Sequence, residues 1–340
     1  MPSVDPPERN PAQQHVLDRL GSRPDDRPHF PEDLGPRLRA DLEDQLHPVL
    51  DELGPDSDVV VTKRLLGQIH GCEVKLLAED DDEFVVTVPV ARGTVAHKAI
   101  ELGIHWPGEP APLDLVDEAI ARLTQTDHWL SDWLQTASLA DKAELRSEAG
   151  DRVSKFLECF PPLAPIWRPV TESSLWADLL DGRVRLRGKV DLTIGTANGH
   201  RAGKVIIDLK TGATSTSHRD DLRFYALVET LRIGVPPRLI ASYYLDSATL
   251  QTEAVTEALL ESTVARTVDG ARRFVDLRNG SVAPVKRPSV VCRWCPVMDT
   301  CDEGRAHLHA DDLAVDVGGD EAVDEPPSNA DRAEDVHLPA

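Results

Sequence analysis

Apolar positions along the chain follow two periods. Residues 38–53 repeat at helix-like intervals, whereas 59–61, 74–77 and 84–90 are short runs of the kind strands use. The last two flank Glu79, Asp80, Asp81, Asp82 and Glu83, five adjacent acids that read as the solvated tip of a hairpin. Residues 94–104 are helical in pattern, and a mainly helical region extends from 113 to about 160, broken near Thr126 and Ala137. Beyond Pro161 the texture changes. Three successive strands (170–180, 183–194 and 204–210) lead into a helix (218–233), a strand (239–245) and a further helix (256–277). This order predicts the α/β class, with a central mixed sheet flanked by helices.

Composition changes the picture mainly at the ends. Residues 1–36 hold eight of the 26 prolines and no sustained apolar period, which predicts a mobile arm. Residues 310–340 are dominated by Gly, Asp, Glu, Pro and Ala and are expected to be a disordered acidic tail. One domain is expected between them, over 37–309, with the helical stretch of about 105–160 as an insertion. The net charge of −22 argues by itself against a nucleic-acid protein. From Asp302 onward, however, 12 acidic and 2 basic residues supply −10 of it, so the remainder is spread thinly. No apolar run approaches the roughly 18 residues a membrane span needs, and the start is not signal-like, so the expected location is the cytoplasm.

Candidate chemistry gathers on two neighbouring strands. In 182–195, period 2 sets Arg183, Arg185, Arg187, Lys189 and Asp191 on one face and Val184, Leu186 and Val190 on the other. In 205–212, a buried-strand run ends by placing Asp208 and Lys210 two residues apart on one face. A buried strand that ends in a carboxylate and an amine needs partners. A hard divalent cation would be one, because Mg²⁺ takes oxygen ligands while keeping water and substrate phosphate in its sphere. The basic row ahead of Asp191 could grip a phosphate backbone. An Asp-x-Lys pair is common as a plain ion pair; what makes this one informative is Gly-x-x-Asp about 17 residues ahead of it and a helix behind.

These residues resemble the PD-(D/E)XK nuclease superfamily, and within it the RecB-like exonuclease branch. Gly188-Lys-Val-Asp191 resembles the Gly-x-x-Asp element, and Ile207-Asp-Leu-Lys-Thr-Gly212 resembles the Asp/Glu-x-Lys element. Residues 93–101, with His97, look like the upstream helix whose histidine joins the metal site. Phe224-Tyr225-Ala226 resembles the Gln-x-x-x-Tyr element, with Asp221 standing where glutamine is usual. The resemblance implies a restriction-endonuclease-like αβββαβ core. It also implies His97, Asp191 and Asp208 as ligands of Mg²⁺ or Mn²⁺, Lys210 as the catalytic lysine and Tyr225 as a contact to the substrate backbone. Asp221 would repel phosphate where an amide normally donates. Glu172, on the first of the three strands, is a candidate accessory acid.

Cysteines form the second constellation. Cys292, Cys295 and Cys301 are a C-x₂-C-x₅-C cluster, with Cys72 far upstream and Cys159 without a spaced partner, which suggests core packing for the last. Three thiols so close in a reducing compartment point to metal, and four soft ligands suit either zinc or an iron-sulfur cluster; spacing does not choose. The resemblance implies the second, a 4Fe-4S cluster on Cys72, Cys292, Cys295 and Cys301 acting as a staple. The function it implies is a DNA exonuclease acting on ends or single strands in repair, CRISPR or mobile-element processing. A separate helicase or integrase-type partner would accompany it. The alternative is a nuclease-fold module that binds DNA or a partner without cutting.

Overall fold

A computed structural model describes residues 9–51, 57–80, 85–126 and 128–315. In chain order these form α1 (Pro11–Leu20), α2 (Leu34–Asp51), β1 (Val59–Thr62), α3 (Lys63–His70), α4 (Glu73–Asp80), α5 (Val88–Ile104), α6 (Pro112–Thr126), α7 (His128–Thr136) and α8 (Leu139–Cys159). There follow β2 (Val170–Leu179), β3 (Val184–Ile194), β4 (Val205–Lys210), α9 (Ser217–Ile233), β5 (Leu239–Tyr244), β6 (Thr249–Ala254), α10 (Glu257–Arg278) and α11 (Asp302–Val315).

Val205, Ile206, Ile207, Asp208 and Leu209 are all buried, so β4 is interior on both faces. It pairs antiparallel with β3 and parallel with β5, the parallel step being closed by α9. β5 pairs antiparallel with β6. Two separate apolar cores cover the sheet: one packs α2, α9 and α10 on one face, the other packs α1, α5, α6 and α8 on the opposite face. This is a mixed sheet between helical layers, the restriction-endonuclease-like arrangement.

β3 organises the site. Along one edge it pairs with β2 from Val184 to Thr193. On its other edge β1 pairs with Val184–Arg187 and β4 with Leu192–Ile194, leaving residues 188–191 without a strand neighbour on that edge. Asp191 lies in this gap. There the strand also changes face: Val190 belongs to one core and Leu192 to the other, although period 2 would keep them together. The change falls opposite Glu172 of β2, whose φ of 51° is left-handed in mid-strand.

Several expectations need correction. The hairpin expected over 74–90 is helical: Glu73–Asp80 is α4, and Val88 opens α5, while the tip residues 81–84 lie outside the described residues. Lys75 and Glu79 form an i,i+4 ion pair that only a helix brings together, and a four-residue apolar run does not separate strand from helix. The segment read as a mobile arm carries α1, started by an Asn10–Gln13 capping box and docked through buried Val16 and Leu20, with the Asn10 side chain donating to Glu158 O (2.7 Å). Phe30 behind it is also buried. The tail expected from 310 begins as the end of α11, and residues 316–340 lie outside the described residues. β6 was not expected; its weak alternation becomes a strand through β5. No helix among the described residues is long and apolar enough to cross a membrane.

Candidate active site

Helices from both layers meet β3 and β4 at the gap. α5 brings His97 in by close approach: a Cβ on Gly93 would lie 3.4 Å from Oγ1 of Thr211, just past β4. Nδ1 of His97 is then 3.6 Å from Oδ1 of Asp191. Oδ2 of Asp191 accepts the backbone N–H of Leu209 (2.6 Å), which ties β3 to β4 at the site. Glu172 completes a group with His97 and Asp191 whose ligand atoms lie within 4.8 Å of one another. One imidazole and two carboxylates are a donor set for a divalent cation, so the residues present fit the group. Lys189 pairs with Glu172 at 2.6 Å.

Asp208, 1% exposed, anchors the other half. Its Oδ2 is 2.8 Å from Nζ of Lys210, and its Oδ1 is 3.9 Å from Nζ of Lys63, the first residue of α3. Thr62 fixes Lys63 there by capping α3 through the Leu65 N–H (3.1 Å). Lys210 also lies 3.4 Å from Asp221 of α9. Hence Asp221, expected to face phosphate, faces the lysine.

The two central carboxylates titrate in opposite directions. Burial pushes Asp191 up to about 6, with repulsion from Asp208 and Glu172 outweighing the pull of Lys63, while His97 acts against the shift. Burial also acts against the charge on Asp208, but Lys210 and Lys63 overcome it and hold that carboxyl at about 2. Burial lowers the Lys210 ammonium less than Asp208 and Asp221 raise it, so Lys210 lies above the ordinary lysine value and stays charged. His218, at the start of α9, is lowered to about 4 by burial and by Lys210, and is neutral at pH 7; its Nδ1 is 3.1 Å from the Tyr244 hydroxyl.

Tyr225 is not at the surface. It is 1% exposed, and its ring lies so close to β3 that a Cβ on Gly188 would sit 2.4 Å from Cε1. Nζ of Lys63 is 5.2 Å from the ring centroid on this side. Its ring therefore packs under the strand. The basic row on β3 is also partly spent: Arg185 pairs with Asp178 (2.5 Å) and Lys189 with Glu172.

A cleft of about 470 Å³ leads away from Lys63 and Asp221 between α3, the start of α9, and α10. Lys63, His70, Arg219, Arg223 and Arg266 line it. Its acids are engaged, Asp220 by Arg223 (3.2 Å) and Arg266 (3.6 Å), and Asp221 by Lys210. Sequence reading missed Lys63 and the cleft because their partners are distant in the chain.

Cys72, Cys292, Cys295 and Cys301 line one small cavity, with Lys75 and Lys286 in its wall. The second and third of these cysteines sit on or beside the 3-10 turn Val290–Trp294, and Cys301 precedes α11. Cys292 Sγ accepts from Ser289 N, and Cys301 Sγ from Gly304 N, both at 3.4 Å. A Cβ on Gly304 would lie in ordinary contact, 3.4 and 3.5 Å, with the Sγ atoms of Cys301 and Cys292, so the start of α11 packs directly against two of the thiols. Cys159 lies apart, half-buried at the end of α8.

Two solved structures are among those to which the chain is distantly similar. One is SSO0001 (13% identity, TM-score 0.33, covering 78% of this chain and 95% of that one). The other is a provisionally assigned exonuclease of Eubacterium rectale (13% identity, TM-score 0.42, covering 85% and 98%). No curated protein matches the sequence. The sequence profile of the PD-(D/E)XK nuclease superfamily matches residues 71–302, a span that runs from Cys72 through His97, Asp191, Asp208 and Lys210 to Cys301. The chain belongs to the PD-(D/E)XK nuclease superfamily.

Proposed function

We propose that this protein is a divalent-metal-dependent deoxyribonuclease that hydrolyses phosphodiesters at DNA ends or in single strands. The observation that carries the reading is the convergence of His97, Glu172 and Asp191 beside the Asp208–Lys210 pair. His97, Asp191 and Asp208 would hold Mg²⁺ or Mn²⁺, with Glu172 as an accessory ligand. When bound, the ion supplies Lewis-acid polarisation of the phosphodiester and lowers the pKa of water.

The chain's own residues do the rest. Lys210, held between Asp208 and Asp221, offsets negative charge developing on phosphate oxygens. Lys63 sets a second ammonium near the other oxygen of Asp208. The cleft beyond Lys63 carries the strand, because Lys63, Arg219, Arg223 and Arg266 outnumber Asp220 and Asp221 in its lining, a local basic excess in a chain of net charge −22. The four thiols would hold a 4Fe-4S cluster, which soft donors suit. Iron and sulfide content with visible absorption supports the cluster, whereas a colourless zinc protein excludes it. We place the protein in the cytoplasm, with strand separation supplied by a separate helicase if it processes ends, or with an integrase-type partner if it serves spacer capture.

Linear single- and double-stranded DNA incubated with Mg²⁺ or Mn²⁺ tests the activity. Cleavage is expected, is abolished by a chelator, and falls by about 10²–10³ in Lys210→Ala, as when a charge-stabilising donor is lost. No cleavage with either ion, or cleavage that survives Asp208→Ala, overturns the reading. The buried Tyr225 and the turned Asp221 favour a second reading, a nuclease-fold module that binds without cutting. Metal-independent DNA binding without hydrolysis is its signature.

A further inference from the structure

The segment that carries three of the four cradle cysteines has almost no apolar anchorage. From 281 to 303 Cys292 is the one buried residue, and the regular structure there is two short 3-10 turns. Something else must hold this segment against Cys72 from the other end of the chain. The sequence offers the inorganic centre for that task, and the structure offers a carboxylate.

Glu73, next to Cys72, has no exposed surface. Its carboxylate accepts two hydrogen bonds from the Arg273 guanidinium (2.9 and 2.7 Å) and one from the Val285 backbone N–H (2.7 Å). Arg287 donates to it at 3.4 Å. The Glu73 N–H donates in turn to Val285 O (3.1 Å), so residues 73 and 285 are bridged in both directions. Arg273 reaches on to Ala283 O (2.9 Å) and Arg287 to Gly71 O (2.8 Å). Residues on both sides of Cys72 are thus fastened to 283–287, the stretch immediately ahead of Cys292. A buried carboxylate with a full set of charged and backbone donors is worth most through what its loss leaves behind, unpaired groups in a dry site.

We propose that Glu73 is a positioning residue that preforms the four-thiol cradle: the carboxylate clasp holds the cysteines together in the metal-free protein, and the inorganic centre enters a site already assembled. The centre is then a guest of the fold, not its staple. The proposal rests on reading the four thiols as one site. It depends neither on which centre fills that site nor on cleavage of DNA.

The test uses the full chain stripped of metal by chelation under reducing conditions. A thiol-bridging reagent, dibromobimane, is applied, and links from Cys72 to the peptide holding Cys292, Cys295 and Cys301 are mapped by mass spectrometry. The unmodified metal-free protein is expected to form these links. In Glu73→Gln they fall by about tenfold or more, the equivalent of losing one buried charged hydrogen bond, while far-ultraviolet circular dichroism is retained. Zinc used as a probe protects the thiols in both proteins, with half-protection at about tenfold higher concentration in Glu73→Gln. Loss of the links in the unmodified metal-free protein overturns the proposal, as do links in Glu73→Gln at the unmodified rate. Should Glu73→Gln fail to fold, Arg287→Ala replaces it, since that arginine is half exposed and leaves the Arg273 pair in place. A drop in linking is expected there too, and none overturns the proposal. An inactive nuclease leaves every one of these readouts unchanged.

Discussion

Asp191 and Asp208 are both buried acids, and their neighbours separate them: two ammonium groups stand on Asp208, whereas Asp191 faces an imidazole and two other carboxylates. Only an ionised carboxylate ligates a cation, so the Asp191 value of about 6 sets the lower limit of tight metal binding. Below it, each ion that binds must displace a proton. We predict that Mn²⁺ affinity is level above about pH 7 and falls up to about tenfold per pH unit below about 6, with proton release measurable by calorimetry in buffers of different ionisation enthalpy. The linkage to stability has opposite signs at the two residues. Asp208, depressed to about 2, contributes stability above the ordinary carboxyl range that is lost as pH falls toward 2. Asp191, raised to about 6, disfavours the fold progressively as pH rises from about 4 to 6. Mn²⁺ should therefore raise the melting temperature more at pH 8 than at pH 5. An increment independent of pH, or one left intact in Asp191→Asn, contradicts this assignment.

At the scale of elements, the close contact of β3 with α9 explains the glycine of the Gly-x-x-Asp sequence. Gly188 is where the Tyr225 ring meets the strand, and a methyl group there would overlap it. Gly188→Ala should destabilise the protein by about 1–3 kcal/mol through overpacking. It should also lower activity by shifting the ring on which Lys63 rests, with Tyr225→Ala partly restoring stability in the double variant. Denaturant midpoints of the four proteins check this, and additive losses would remove the contact from the account. Most elements were legible in sequence because their periods are long: α2, the break positions between α6, α7 and α8, and the run β2–β3–β4–α9–β5 all lie close to where patterning puts them. α4 and β6 were not. A run of four apolar residues suits either period, and what decided α4 was Lys75 finding Glu79 at helical spacing while Glu73 met Arg273 of α10.

At the scale of the whole molecule, local charge reconciles the acidic balance with the nucleic-acid substrate we propose. Arg185 and Lys189, expected to grip phosphate, are matched one to one by Asp178 and Glu172, whereas in the cleft Lys63, Arg219, Arg223 and Arg266 outnumber Asp220 and Asp221. We predict that the double variant Arg219→Ala, Arg266→Ala binds a short single-stranded oligonucleotide more weakly, and that its log K against log salt slope is shallower by about 1–2. Hydrolysis of a small diester such as bis(p-nitrophenyl) phosphate should be unchanged. An unaltered salt slope places the strand elsewhere.

By itself the sequence determined the class of the fold, the order of its main elements and the residues that converge at the sheet, because period, composition and local spacing are properties of neighbours. His97, Asp191, Asp208 and Lys210 could be singled out because each sits in a short local pattern. Tertiary structure decided what depends on approach between distant segments. It buried Tyr225 under Gly188, turned Asp221 toward Lys210, set Lys63 on Asp208 and gave Glu172 its left-handed turn opposite Asp191. It also closed Glu73 onto Arg273 and Val285, so that four thiols from opposite ends of the chain share one cavity. Such contacts arise from packing geometry and desolvation, which no local run of residues encodes.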